Sequence, residues 1–443
     1  MAGTRLHENW CYDLLMKSGF ILLLAGLLFL AGTASADDGC TAAQCHASIV
    51  KGKSVHAATE DCTACHESIA SPHPQKGKAT FKLAQDPPDL CYNCHDAFGK
   101  KKDLHPPVKE GMCTTCHNPH ASDQPKLLTQ PAGELCKSCH EEQTKFKNLH
   151  GPVSAGDCTA CHLPHESDTA KLLIKEGEAL CIGCHTDMEA IRKKKDIHPA
   201  LDSGCTTCHN PHGSEHAKLL VSEGKELCFQ CHSEISDTLQ AAAVVHAPVT
   251  TEAACASCHT PHASDHPKLL PKEGAAFCQD CHKTIITKDM TFLHKPIQDG
   301  TCTPCHNPHG SKNEKLLMKE FPAAEYASYT DKEYELCFSC HKRELLQFPD
   351  TSFATNFRDG ERNLHYLHVN KSEKGRTCRM CHNVHGSNNP VLIAASIPFG
   401  KWSLPLNYEK TETGGSCAPG CHKPQSYDRK NPGKKPERTK PSQ

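Results

Sequence analysis

His198-Pro199, then Cys205-Thr206-Thr207-Cys208-His209-Asn210-Pro211-His212, then Lys218-Leu219-Leu220, then Leu227-Cys228-Phe229-Gln230-Cys231-His232: this stretch decides the fold, because it recurs along the chain. It holds two Cys-x-x-Cys-His motifs. That pattern reads as a covalent haem site. Two thiols add to the two vinyl groups of the macrocycle, and the adjacent histidine reaches the iron as proximal ligand.

Working outward, thirteen segments have that form. They are Cys62, Cys65 and His66; Cys91, Cys94 and His95; Cys113, Cys116 and His117; Cys136, Cys139 and His140; Cys158, Cys161 and His162; Cys181, Cys184 and His185; Cys205, Cys208 and His209; Cys228, Cys231 and His232; Cys255, Cys258 and His259; Cys278, Cys281 and His282; Cys302, Cys305 and His306; Cys337, Cys340 and His341; Cys378, Cys381 and His382. Two variants have longer gaps: Cys40, Cys45 and His46 with four intervening residues, and Cys417, Cys421 and His422 with three. Fifteen haem c sites, all covalent, are therefore expected, and they use every one of the 31 cysteines except Cys11. At this composition chance supplies about 0.2 such motifs. Disulfides, the first reading of so many cysteines in an exported chain, do not need this spacing. Zinc takes four ligands, from two Cys-x-x-Cys pairs or one pair with two histidines. It does not require a histidine after every second cysteine.

The motifs fall into seven pairs and a lone first site, and the four inner pairs from Cys113 to Cys278 share a spacing of 23 residues. One repeat cannot bury its haems alone, but stacked repeats can, which is solenoid logic with haem as the core. The expected organisation is a leader and signal peptide over 1–36, a single-haem segment over 37–61 and a first haem pair over 62–112. Four regular repeats over 113–301, two extended repeats over 302–422 and a basic disordered tail over 423–443 complete it. Phe321 to Glu335 is an insertion that stretches the sixth pair.

Aromatic residues make up only 5% of the 443, too few for ordinary apolar cores in a chain of this length. Frequent proline and glycine break longer elements. The expected fold is mostly irregular coil with short α-helices and little or no β-sheet. It is an elongated cytochrome in which a chain of stacked haems replaces the hydrophobic core. The formal net charge of −2 gives no basic signature of nucleic-acid binding, and haem propionates make the loaded protein more acidic.

Lys17, the apolar run from Phe20 to Ala31 and Ala34-Ser35-Ala36 before Asp37 have the three parts of a signal peptide. Met16-Lys17-Ser18 reads as the true start, which puts Cys11 in a segment absent from the mature protein. Export to the periplasm or to the cell surface and beyond is expected. No later segment is long and apolar enough to span a membrane, and Cys40 belongs to a haem motif rather than a lipidation box.

Histidine supplies the second axial ligand. Outside the motifs and His7, 17 of the 33 histidines remain for 15 irons. Six follow a motif histidine by three residues: His120, His165, His212, His262, His309 and His385. Five lead into a pair: His105, His150, His198, His246 and His294. His56 and His73 serve the first pair, and His365 and His368 precede the last. His216 and His266, at positions where other repeats have Gln124 and Thr169, are read as solvent-facing bystanders. A trailing histidine such as His120 cannot reach the far face of its own haem. Three residues span at most about 11 Å, and the thiols already pin the chain to the macrocycle edge. It should bind a neighbouring haem. Bis-histidine iron is six-coordinate with no open position. Met112, Met188, Met290, Met318 and Met380 do not follow the repeat, so methionine ligation is not expected.

These segments resemble the doubled Cys-x-x-Cys-His multihaem c-type cytochromes of bacterial respiratory chains. The resemblance rests on residues 205–212 and 302–309, on the block from Phe357 through His365 and His368 to Val369, and on Gly375-Arg376-Thr377-Cys378. It covers roughly residues 40–425. It implies bis-histidine haems with stacked and T-shaped neighbours, and respiratory electron transfer toward extracellular acceptors such as metal oxides. It implies as partners periplasmic or outer-membrane cytochromes, porin–cytochrome complexes, or further copies of the chain, since some relatives form filaments. The leading expectation is an electron carrier, not an enzyme, with no catalytic residue. The alternative is a nitrite- or hydroxylamine-type oxidoreductase with one open iron, for which a lysine-for-histidine motif would be one sign, and none is present. Electron storage shares the same ligands.

Overall fold

Each Cys-x-x-Cys-His segment closes one tight turn, because two thiols must meet one macrocycle edge. In Cys205–Thr207 and Cys158–Ala160 that turn is a 3-10 helix, and in Cys113–Cys116 an α-helix. The motif histidine's N–H donates back to the first cysteine's carbonyl, at 3.0 Å in His209 and 3.1 Å in His162. In this computed structural model, Cys40, residues 46–420 and residues 422–433 are described. The expected leader and signal peptide, Cys45, Cys421 and residues 434–443 lie outside the described residues.

Secondary structure is sparse, as the prolines and glycines predict. The helices are short, the longest being the nine-residue Ala132–His140 and Ser233–Ala241, and there is no large sheet or barrel among the described residues. No helix among them is long and apolar enough to cross a membrane.

The chain forms two compact units, one of residues up to Ala84 with Asn118–Leu127, the other of Gln85–His117 with Leu128 onward. In the first, Ser54–Val55 pairs antiparallel with Ala121–Ser122. In the second, the same two-residue ladder joins each repeat to the next. Asp103–Leu104 pairs with Glu166–Ser167, Asn148–Leu149 with Gly213–Ser214, and Asp196–Ile197 with Ala263–Ser264. Val244–Val245 pairs with Gly310–Ser311, and Phe292–Leu293 with Gly386–Ser387. The two residues before a leading histidine thus pair with the two residues after a trailing histidine of the following repeat. Close approach explains the glycines: a Cβ on Gly213 would lie 2.8 Å from Phe146.

Among the described residues the buried hydrophobic ones are Ala121, Ala254 and Ala263, and then Tyr334, Leu346, Val369, Met380, Ile397 and Leu406. Every one larger than alanine lies in the C-terminal part. There the insertion Phe321 to Glu335 finds its role, because Phe321, Tyr329 and Tyr334 pack with Leu346 and Val369. A second cluster joins Met380, Ile397 and Leu406. The regular repeats have no comparable side-chain core.

A strand lies within the span expected to be a disordered tail. Gln425–Asp428 is a strand paired with Gly414–Cys417, which in turn pairs with Glu409–Lys410. The Asp428 carboxylate accepts from the backbone N–H groups of Lys430 and Asn431. Residues 423–433 are therefore ordered, because Tyr427 packs edge-on against Phe357 with centroids 4.9 Å apart. The lysine and proline run that suggested a tail is concentrated after Arg429.

Candidate haem sites

Thirteen motif histidines each face a second histidine ring. In the first unit His46 faces His73 and His66 faces His120, with centroids 5.9 and 6.1 Å apart. In the second unit the trailing histidines face backwards. His165 meets His117, His212 meets His162, His262 meets His209, His309 meets His259, and His385 meets His306, at 5.9–6.2 Å. The leading histidines stay within their own repeat. His105 meets His140, His150 meets His185, His198 meets His232, His246 meets His282, and His294 meets His341, at 6.0–6.2 Å. His365 meets His382 at 6.4 Å. The planes lie within 25° of parallel except for His209 and His262, which are tilted by 45°. His368 has His422 as an electrostatic neighbour. His56 and His95 complete the set of histidines named from the sequence. His216 and His266, expected as solvent-facing bystanders, face no motif histidine ring among the described residues and are partly exposed. Both are half-buried, held through backbone N–H bonds to Ser214 and Ser264, and His216 lies 3.9 Å from the Glu223 carboxylate.

The surrounding sequence explains how the rings are held. In the Asn-x-His segments the asparagine Oδ1 accepts from the trailing histidine's N–H: Asn210 from His212 at 3.1 Å, Asn307 from His309 at 3.1 Å. The intervening proline turns its carbonyl toward the preceding repeat's leading histidine. Nδ1 of His105, His150, His198 and His246 lies 2.8–3.0 Å from the carbonyls of Pro164, Pro211, Pro261 and Pro308. In the first unit His56 does the same with Pro119. A proton on Nδ1 leaves the Nε2 lone pair to face the partner ring. Carbonyl partners of this kind orient metal-binding histidines.

The first-motif histidines are held differently. Nδ1 of His162, His209, His259 and His306 lies 2.7–2.9 Å from the carbonyls of Lys171, Lys218, Lys268 and Lys315. Each of these lysines and the leucine after it has φ between 55° and 60°. Such left-handed pairs cost roughly 1–2 kcal/mol per residue. Their recurrence in the Lys-Leu-Leu segments shows that the aimed carbonyl is what the turn is kept for. A buried serine clamps the turn: Ser167 Oγ donates to the Leu173 carbonyl at 2.6 Å and accepts from the Thr169 N–H. Sequence reasoning missed the asparagine, lysine and serine roles. Their recurrence was visible, but lysine and leucine give no sign of a left-handed backbone. Replacing Ser167 by alanine strands that carbonyl and amide, and should destabilise the repeat by about 1–3 kcal/mol. Hydrogen exchange of amides 162–174 in the holo protein reads this, and unchanged protection there would refute the clamp.

Burial pushes the trailing histidines His212, His262, His309 and His385 below the ordinary imidazole value, with the facing histidines adding to it. It pushes His365 to about 3. Neutral imidazole is the ligating form. The thiols cluster as well. Across repeats, the free thiols of Cys136 and Cys158, Cys181 and Cys205, Cys278 and Cys302, and Cys337 and Cys378 are close neighbours. Burial first, then these neighbours, raise Cys136, Cys181 and Cys302 to about 11. Within repeats the second thiols are electrostatic neighbours, as in Cys161 with Cys184 and Cys208 with Cys231.

The ring spacing tests whether these residues fit haem. Two metal–nitrogen bonds of about 2.0–2.1 Å, with each nitrogen about 1.1 Å from its ring centre, put the centroids about 6.3 Å apart. The observed pairs lie at 5.9–6.4 Å, so one iron fits between each. The donor set, two thiols and two neutral imidazoles per site, is that of bis-histidine haem c.

The family model for the doubled CXXCH motif matches residues 56–100, 105–145, 150–190, 198–237, 246–286 and 294–345, more than half of the chain. No curated protein matches the chain. The six matched spans each begin at a leading histidine, so the repeat starts at that residue rather than at the first cysteine. The chain belongs to the doubled-CXXCH family, and with covalent haem c at these motifs it is a multihaem c-type cytochrome.

Proposed function

We propose that the protein is an electron conduit with fifteen haems, each held between two histidines. The observation that carries this reading is the set of facing histidine pairs at one-iron spacing. When bound, haem iron supplies one-electron redox chemistry without an open coordination site. The chain's own residues do the rest. The leading histidine completes a site inside its repeat, and the trailing histidine completes the first site of the repeat before it. Thiol contacts across repeats and thiol proximity within them support an order of sites that follows the sequence. Cys40 with His46 and Cys417 with His422 supply the two end sites.

Paired histidines at the motifs support a carrier over a nitrite- or hydroxylamine-type oxidoreductase, which needs one iron with a missing ligand. Resemblance to respiratory cytochromes and the N-terminal signal support respiration toward acceptors outside the cytoplasm. The partners in this reading are periplasmic or outer-membrane cytochromes, porin–cytochrome complexes, copies of the chain, or extracellular metal oxides.

Electron paramagnetic resonance of the oxidised holo protein, with haem quantified on the same sample, tests this. The expected result is near fifteen haems per chain, all low-spin. A stoichiometric high-spin signal would overturn the conduit in favour of the oxidoreductase.

A further inference from the structure

In the second unit, the eight sites from His150 with His185 to His306 with His385 share one feature. At seven of them one imidazole has its Nδ1 on a backbone carbonyl, at the eighth His294 has the Val384 backbone beside it, and among the described residues the partner ring shows no such bond. The last two sites differ. His382 Nδ1 lies 3.0 Å from the Val391 carbonyl, and its partner His365 has Nδ1 2.9 Å from Thr355 Oγ1. His368 Nδ1 lies 2.7 Å from the Leu364 carbonyl, and His422 Nδ1 lies 2.6 Å from the Lys423 carbonyl. Both imidazoles are hydrogen-bonded at each of these sites.

Of these four bonds the Thr355 bond comes from a side chain, as the Thr80 bond to His73 does in the first unit. His365 needs its Nε2 lone pair toward His382, so its proton sits on Nδ1 and the Thr355 oxygen accepts it. The same oxygen accepts from the Phe357 N–H at 3.0 Å, which fixes the hydroxyl in place. The Phe357 ring meets His365 edge-on at 5.1 Å and stacks on His368 at 5.9 Å, so both rings are held against one wall.

We propose that Thr355 is a positioning residue that lowers the reduction potential of the iron held between His365 and His382, through the hydrogen bond it accepts from His365. A donated Nδ1–H makes the imidazole a more basic ligand. The more basic ligand favours the ferric state, and ligand hydrogen bonding is one of the protein's levers on haem potential. Burial works the other way, because removing water disfavours the extra positive charge of ferric iron. A single substitution that removes the bond and keeps the burial separates the two. This inference rests on the bis-histidine reading above.

The test is Thr355→Val, matched in shape, and Thr355→Ser, which keeps the oxygen, in the holo protein. Both are followed by spectroelectrochemical titration and electron paramagnetic resonance. T355V should shift one midpoint upward while every iron stays low-spin, and T355S should titrate like the wild type. An unchanged T355V titration, or equal shifts in both variants, would overturn the role of the hydroxyl. A high-spin iron in the wild type would instead sink the bis-histidine reading, so the two failures are distinct. If T355V yields no holo protein, the wild-type spectrum still decides. A class of irons with a stronger axial ligand field than the others supports the doubled hydrogen bonds, and a single uniform class refutes them.

Discussion

Replacing His212 by alanine should leave every haem attached and turn one iron high-spin. His212 follows His209 by three residues, yet its ring faces His162 of the preceding repeat at 6.0 Å. The covalent links at Cys158 and Cys161 do not depend on it, so haem content should not change. The iron at His162 loses its second axial ligand, and no spare histidine stands by. His216, four residues on, is turned toward the Glu223 carboxylate. One open iron per chain should bind carbon monoxide when reduced, where the wild type binds none. His216→Ala is the matched control and should change neither signal. If H212A stays fully low-spin while H216A opens an iron, the assignment of the two histidines is reversed. Because His212 also ties two repeats together, the variant should lose hydrogen-exchange protection along Asn148–Leu149 and Gly213–Ser214, the ladder beside it.

Much of this was legible in the sequence, for a physical reason. Covalent attachment demands Cys-x-x-Cys-His at fixed spacing, so the sites announce themselves without any knowledge of the fold. The argument that His120 must serve a neighbouring haem needed only the reach of three residues, and the ring of His66 opposite His120 agrees with it. Direction was not legible. Chain reach does not say whether a trailing histidine turns to the repeat before or after its own. That is decided by the ladders, where the pair before His150 binds the pair after His212 and brings Pro211 to the His150 ring. The Lys-Leu-Leu turn was hidden for a different reason. A left-handed lysine at residue 218 runs against its intrinsic preference. Only the geometry shows that its carbonyl is aimed at His209. The C-terminal strands were misread because Gln425 to Asp428 sits directly before a lysine- and proline-rich run, and composition averaged over both suggests a tail.

The backward direction of the trailing histidines makes the chain polar, and truncation from its two ends should give unequal results. A holo chain ending after residue 286 loses His309, the partner of His259. Every other pair from His46 to His282 is retained, so one high-spin iron per chain is expected, at the site of Cys255 and Cys258. A chain that begins at His150 behind the export signal loses His117, the partner of His165. That leaves a histidine without an iron rather than an iron without a histidine, so no high-spin signal is expected. Equal signals from the two truncations, or a signal from the second alone, would refute the pairing. The pairing differs at His382, whose facing ring His365 precedes it in the chain. There His382 meets His365 and His368 neighbours His422, so the facing histidines come from the upstream side rather than from a later repeat. The helix Leu364–Val369 carries His365 and His368 on one face, three residues apart, and in the proposed reading both are ligands. That helix holds its aim only on a fixed support. Val369 packs with Tyr334 and Leu346, and buried Asn363 caps the helix while its side-chain amide donates to the Leu345 and Phe348 carbonyls. Among the described residues, the side-chain clusters therefore lie where the facing histidines are carried by an upstream helix rather than by a following repeat.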